Sequence, residues 1–336
     1  MRKSDGFDHR WAAIALGLML TGRALAPAML GAEELPPRFR EAVDLFAAGK
    51  FKECQIAFTQ AAGAAPRAGL AARAAYGAAC CAAVRNDLDG GYEALALALD
   101  NGFVDLERAL ADPRLETLRA DARWMRFITL LEERQQMHQK ALDPDLLRLY
   151  LEFQAERDTI ARELPATGAP AAAAAPTAAW VERSLARRQE AAGLVSRGRV
   201  RQPEDAFHAA ALLVESERPA EVALAAELGR QALARDPDLL AARPLVATAV
   251  DRGEMLAGKP QKYGTQLVEE GGRWKVYAVD PAVTDAERAE WGLPPLADAV
   301  AQAAEINLRA ATQKRPPERA PASPAPPPSP APTPPS

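Results

Sequence analysis

The sequence predicts a mainly α fold: helical hairpins, then a mostly helical domain with one β-hairpin, then a proline-rich tail. Three observations carry this. Apolar residues recur at helical spacing, as at Phe39, Ala42, Val43, Phe46 and Ala47. Period-two alternation is clear where Trp274, Val276 and Ala278 interleave with Arg273, Lys275 and Tyr277 behind Gly271-Gly272, a two-glycine hairpin signal. From Arg315 onward the chain is nearly all proline, alanine and serine, a composition expected to stay disordered.

The 336 residues allow about two domains, and 49% hydrophobic with 26% charged residues is a globular balance. A net charge of −4 argues against a basic nucleic-acid-binding surface, so no nucleic-acid partner is expected. The expected division is a signal peptide over 1–32, a helical domain over 33–163, a linker over 164–177, a helical domain over 178–312 with its hairpin at 264–279, and a tail over 313–336.

Residues 1–32 read as a signal peptide. Arg2, Lys3 and Arg10 form a basic start, and residues 11–20 an apolar run too short to span a bilayer, which takes about 20 residues. Ala24-Leu25-Ala26 offers one small-x-small cleavage site, but Pro27 would follow the cut. Leu30-Gly31-Ala32 offers the preferred one, leaving Glu33 first. An uncleaved anchor is the competing reading. The expectation is export to the periplasm or medium of a bacterium, with no stable membrane insertion after cleavage.

The mature chain opens on two helices. The apolar face of the first ends at Gly49-Lys50, and Phe51, Cys54, Phe58, Ala61 and Ala62 line the next. Ala42, Leu45, Gly49, Phe51, Cys54, Phe58, Ala61 and Pro66 fall at the spacing of a tetratricopeptide repeat, which this hairpin resembles, with cysteine at a usual alanine position. A degenerate second unit follows: a helix over 70–84, a turn over 87–91 and a helix over 92–99. Helices over 115–136 and 143–162 should cap the stack. Residues 164–177 are rich in alanine and proline and read as a spacer. Beyond them, helices are expected over 178–197, 204–215 and 220–234. A fourth should run from Asp236-Pro237 to Leu256, bent or restarted at Pro244. The strands should cover 264–269 and 273–279. Thr284 with Glu287 forms a capping box, and a last helix covers 296–312.

Residues 251–266 concentrate the polar chemistry. Asp251 and Arg252 close a helix, Gly258 and Pro260 stop it, and Gln261, Tyr263, Thr265 and Gln266 follow in quick succession. The pattern, DR followed by GxPQxYGTQ, resembles a bacterial domain family of unknown function. The resemblance runs from about Arg188 to Asn307, with a weaker lead-in from Leu149. Phe207-His208-Ala209-Ala210 is similar to that family's histidine-alanine-alanine element, but Val214-Glu215-Ser216 stands where the family carries a glutamine-histidine-glycine triplet. The family has no assigned activity, so the resemblance implies no reaction.

Two readings of the segment stay open: a hydrogen-bond clip pinning hairpin to helix, and a pocket for an anionic or peptide-like ligand built from Asp251, Arg252, Gln261, Tyr263, Thr265, Gln266 and His208. A buried, internally bonded His208 is the plain alternative for that residue, and His138 reads as solvated. HExxH, CxxC, GxSxG, Walker and GxGxxG patterns are absent from the sequence, and no catalytic residue, metal site or cofactor is expected. Cys54 could pair with Cys80 or Cys81, or all three could be buried thiols, the reading favoured at repeat positions. The function expected is that of an exported interaction or scaffolding protein with a protein or peptide partner. A ligand binder or a hydrolase-type enzyme using 251–266 is the alternative.

Overall fold

The computed structural model describes residues 36–167 and 178–313. The signal peptide, most of the linker and the tail expected beyond 313 lie outside them. The described chain is mostly helical with a single two-stranded antiparallel hairpin.

Helix α1 (Pro37–Ala47) starts on a proline, whose missing N–H would have had no helical acceptor there. Gly49, at φ 71°, turns the chain into α2 (Phe51–Gly63). Phe39 meets Phe58 edge-on, centroids 5.2 Å apart, which fixes the crossing of the two helices. Helix α3 (Ala68–Val84) is almost all small residues and is buried on nearly every side. A Cβ on its Gly77 would lie 2.9 Å from the Phe58 ring, so glycine is what lets α2 press so close.

The expected turn over 87–91 is instead the start of α4 (Leu88–Asp100). Asn86 takes the left-handed conformation, and the Asp87 carboxylate accepts the Gly90 amide as N-cap. The single helix expected over 115–136 is broken. Helix α5 (Leu106–Ala111) and a 3-10 turn come before it, and α6 (Glu116–Arg119) and α7 (Arg123–Ala141) replace it. The cause is local: Asp112 and Asp121 accept the amides of Arg114 and Arg123, an alternative to helix hydrogen bonds. Residues from Phe39 to Leu131 form one apolar cluster.

Helix α8 (Pro144–Thr167), capped by Asp143, runs into the expected linker. Its Leu146, Leu149 and Phe153 belong to a second cluster, with Ala191 and Leu194 of α9 (Ala178–Ser196) and most of α10 (Pro203–Leu213). The apolar core therefore changes between Leu131 and Leu146, whereas the sequence reading groups α8 with the first unit. Helix α11 (Pro219–Arg235) packs on α10 and on α12 (Ala242–Leu256). The helix expected from Asp236 begins only at Ala242, because the Asp236 carboxylate accepts the Asp238 amide and holds a turn. Pro244 thus falls in the first turn of α12, where it bends nothing.

Strands β1 (Leu267–Glu270) and β2 (Arg273–Val276) pair from Leu267 opposite Val276 to Glu270 opposite Arg273. Gly271 and Gly272 have φ 60° and 77°, the two positive values that a tight hairpin turn demands. After α13 (Asp285–Glu290), which opens on the expected Thr284–Glu287 capping box, α14 (Leu296–Gln313) covers the hairpin. Asn307 brackets Trp274, accepting its amide and donating to its carbonyl, each at 2.7 Å.

Candidate functional site

The 251–266 residues come together, but in two sets facing different ways. Consecutive helical residues point about 100° apart, so Asp251 and Arg252 cannot share a face. Asp251 looks toward the hairpin. Its Oδ1 accepts the Tyr263 amide at 2.7 Å, and its Oδ2 accepts both the Thr265 amide and the Thr265 hydroxyl at 2.8 Å. Burial pushes the Asp251 carboxyl above its ordinary range, and these donors oppose that shift.

Helix α12 can deliver the loop there because it ends cleanly. Gly258 adopts φ 71°, its amide bonds the Met255 carbonyl, and the Lys259 amide bonds the Glu254 carbonyl. Gln261 then forms an isolated parallel bridge with Val279. Its backbone bonds Ala278 and Asp280, while its side chain accepts the Gln266 amide at 2.8 Å and donates to the Gln266 and Tyr277 carbonyls. The Gln266 amide group donates to Thr265 Oγ1 at 3.1 Å and to the Thr248 carbonyl at 3.4 Å. Tyr263 packs with Ala247 and Leu293.

Arg252 does not touch the hairpin. Its Nε donates to the Ser216 carbonyl at 2.8 Å and its Nη2 to the Glu215 carbonyl at 3.3 Å, closing the C-terminal end of α10. Burial lowers its pKa, and Glu215 and Glu217 counter the effect.

Arg288 is the member that sequence reasoning missed. It is fully buried and donates Nε to the Pro294 carbonyl. Its Nη1 lies 2.9 Å from where a Cβ on Gly264 would stand, so that glycine is required both by φ 76° and by this guanidinium. An arginine on a short capped helix carries no sequence mark of burial.

Thr265 beside Asp251 has the outline of a nucleophile with a base. Both are sealed, at 4% and 0% exposure, and the same carboxylate oxygen is committed to the Thr265 amide. The bonds among Asp251, Gln261, Thr265 and Gln266 make a clip joining α12 to the hairpin, while the buried Nη1 and Nη2 of Arg288 have no hydrogen-bond partner.

His208 joins none of this. Its ring stacks on Tyr150 of α8 at 4.3 Å, and the charges acting on it are Asp205, Glu204 and His138. Burial drives its pKa down to about 4, and its buried Nδ1 has no hydrogen-bond partner. The plain expectation of an internally bonded ring therefore fails at that atom, and the proposed grouping of His208 with 251–266 is not formed. His138, expected to be solvated, pairs with Glu204 at 3.3 Å; the contact raises His138 and lowers Glu204.

Cys54 and Cys81 form a disulfide between α2 and α3, with Cα atoms 6.1 Å apart, and Cys80 is a buried free thiol. The favoured expectation of three thiols is corrected: the packing of α2 on α3 puts two of them within bridging reach. Among the described residues no group of three or more His, Cys, Asp and Glu could hold a metal, and no helix is long and apolar enough to cross a membrane.

No protein-family model matches the chain, and no solved structure matches it. Over 80 residues it is 38% identical to a chloroplastic protein of Arabidopsis thaliana. The aligned stretch is 24% of this chain and 24% of that protein, so the chain spans about a quarter of the length of the curated relative it matches.

Proposed function

We propose that the chain is an exported interaction or scaffolding protein, whose first helices form a tetratricopeptide-type module that binds a protein or peptide partner. One observation carries the reading. Helices α1 to α4 stack in chain order, each on its predecessor, so that stability comes from neighbours and a broad helical surface stays outside. The inward-turned bonding of Asp251, Gln261, Thr265 and Gln266 favours a structural role for the 251–266 segment over a ligand pocket. Export rests on the signal-like residues 1–32, and a disulfide suits an oxidising compartment.

Photo-crosslinkers placed in the full chain test the reading, at Ile56 and Leu97 on the first module and at Val300 and Leu308 on α14, all exposed. Crosslinks to one partner from the first pair alone are expected. Crosslinks from α14 alone, or from neither pair, would overturn it. N-terminal sequencing of the exported protein should begin at Glu33.

A further inference from the structure

The hairpin has one edge that the protein closes and one that it leaves open. In an antiparallel pair, successive residues alternate between bonding across the ladder and pointing their N–H and C=O away from it. The Tyr277 amide fixes the phase by donating to the Gln266 carbonyl at 2.9 Å. In the register of Leu267 opposite Val276, the ladder bonds therefore fall at Val268 with Lys275 and at Glu270 with Arg273. The backbone groups of Trp274, Val276 and Ala278 point outward on one side, and those of Leu267 and Glu269 on the other.

The two outer edges differ in where these groups go. On the β2 side, Asn307 accepts the Trp274 amide and donates to its carbonyl. On the other side of Val276, the Gln261 amide donates to the Ala278 carbonyl and the Gln261 carbonyl accepts the Asp280 amide, each at 2.8 Å. On the β1 side, Asp251 accepts the Thr265 amide, and the capping stops there. Among the described residues, no hydrogen bond reaches the outward N–H or C=O of Leu267 or Glu269. Helix α14 packs mainly on β2. Glu269 is half-buried and Glu270 exposed, so the open edge meets solvent at its turn end.

We propose that the outer edge of β1 docks an extended segment of a partner protein, which adds a third, antiparallel strand by pairing with Leu267 and Glu269 and sets a basic side chain opposite Glu269. This surface is separate from the first helical module and does not depend on it. Unpaired main-chain groups are what an added strand bonds, and they supply its affinity. A two-stranded ribbon is marginal by itself, and a third strand covers its edge. Charge selects the occupant. Among the described residues the Glu269 carboxylate has no ion-pair or hydrogen-bond partner, whereas Glu270 beside it is paired with Lys275. A second copy paired β1 to β1 would bring Glu269 close to its own counterpart, a like-charge contact that weakens sheet pairing. The segment after Arg315 is a poor strand, because its recurrent prolines lack the N–H that the edge carbonyls need. A basic partner segment meets neither obstacle.

The test is fluorescence anisotropy with the full chain and a labelled peptide of alternating lysine and valine. Two further peptides carry N-methyl groups, one on its lysine amides and one on its valine amides. A docked strand turns only alternate amides to the edge, and the residue opposite Glu269 is the one that bonds it. The lysine-methylated peptide should therefore bind at least about tenfold more weakly, and the valine-methylated one like the parent. Glu269→Pro should abolish binding while the chain stays folded, because the amide it removes points away from the β1–β2 ladder. Glu269→Lys keeps that amide and reverses the charge; it should weaken binding severalfold, which keeps the test valid if the proline variant folds poorly. No binding of the parent peptide, equal affinities of the two methylated peptides, loss in the valine-methylated one, or unchanged binding by both Glu269 variants would overturn the proposal. So would a native chain that elutes as a dimer and becomes monomeric in Glu269→Pro, which would assign the edge to a second copy.

Discussion

The Asp251 carboxylate and the Thr265 backbone and hydroxyl form the joint between α12 and the hairpin, two 2.8 Å bonds converging on one oxygen. A third, from the Tyr263 amide, lands on the other oxygen. Asp251→Ala would strand all three donors in a buried site. Each unsatisfied group costs about 1–3 kcal/mol, so a loss of at least roughly 3 kcal/mol is expected.

Arg252→Ala should destabilise too, by about 1–3 kcal/mol, for a different reason: it uncovers the Ser216 and Glu215 carbonyls at the end of α10. Gln266→Ala should lose least, because its bond to the Thr248 carbonyl is long at 3.4 Å. Urea unfolding of the three variants checks the order. Neutral effects of about 0.5 kcal/mol or less in all three would show that the clip holds nothing.

The disulfide makes a chemical prediction. Alkylation of the denatured, unreduced protein should label one cysteine, Cys80, and none should be labelled in the native state. Burial pushes the Cys80 thiol up to about 12, which leaves almost no thiolate at neutral pH. Peptide mass mapping should then recover Cys54 joined to Cys81. Three labelled cysteines would contradict the bridge.

The sequence made the elements legible where one rule dominated. Gly271-Gly272 announced the hairpin, and Thr284 with Glu287 announced α13. Legibility failed where a side chain redirected the backbone: Asp121 splits the long helix, and Asp236 delays α12 to Ala242. It failed again where the answer lay in direction rather than type. DR was readable as a pair, but only the helical phase sends Asp251 to the hairpin and Arg252 to α10. Arg288 and the Tyr150–His208 stack depend on contacts between segments distant along the chain or hidden from any local pattern.

His208 predicts an acid-sensitive fold. Its pKa falls from 6.5 to about 4 on folding, so between those values the unfolded chain binds the extra proton. Stability is then complete above about 6.5 and declines as pH falls, by roughly 3 kcal/mol at pH 4. The His138–Glu204 pair contributes differently. Raised His138 favours the fold below 6.5, lowered Glu204 favours it above 4.5, and their joint contribution is greatest between. His208→Phe keeps a ring against Tyr150 and removes the titration, so its stability curve from about pH 7 to 5 should flatten. An unchanged slope would place the acid sensitivity elsewhere.

The last prediction concerns where the molecule can be divided. A cut at the expected linker would separate α8 from α9, yet Leu146, Leu149 and Phe153 are buried against the second cluster. Each buried leucine or phenylalanine contributes about 1.5–3 kcal/mol of transfer free energy, and removing three exceeds much of the roughly 5–15 kcal/mol that a domain holds. The Asp143 amide also donates to the Asp205 carboxylate at 2.8 Å, and Arg199 donates to Asp143 at 2.6 Å, tying the start of α8 to the second half. A fragment of residues 143–313 should therefore unfold cooperatively in urea, whereas residues 178–313 should bind a hydrophobic dye and show a much lower midpoint. Equal midpoints for the two fragments would mean that α8 is dispensable to the second core, and that the boundary lies at the proline-rich stretch after all.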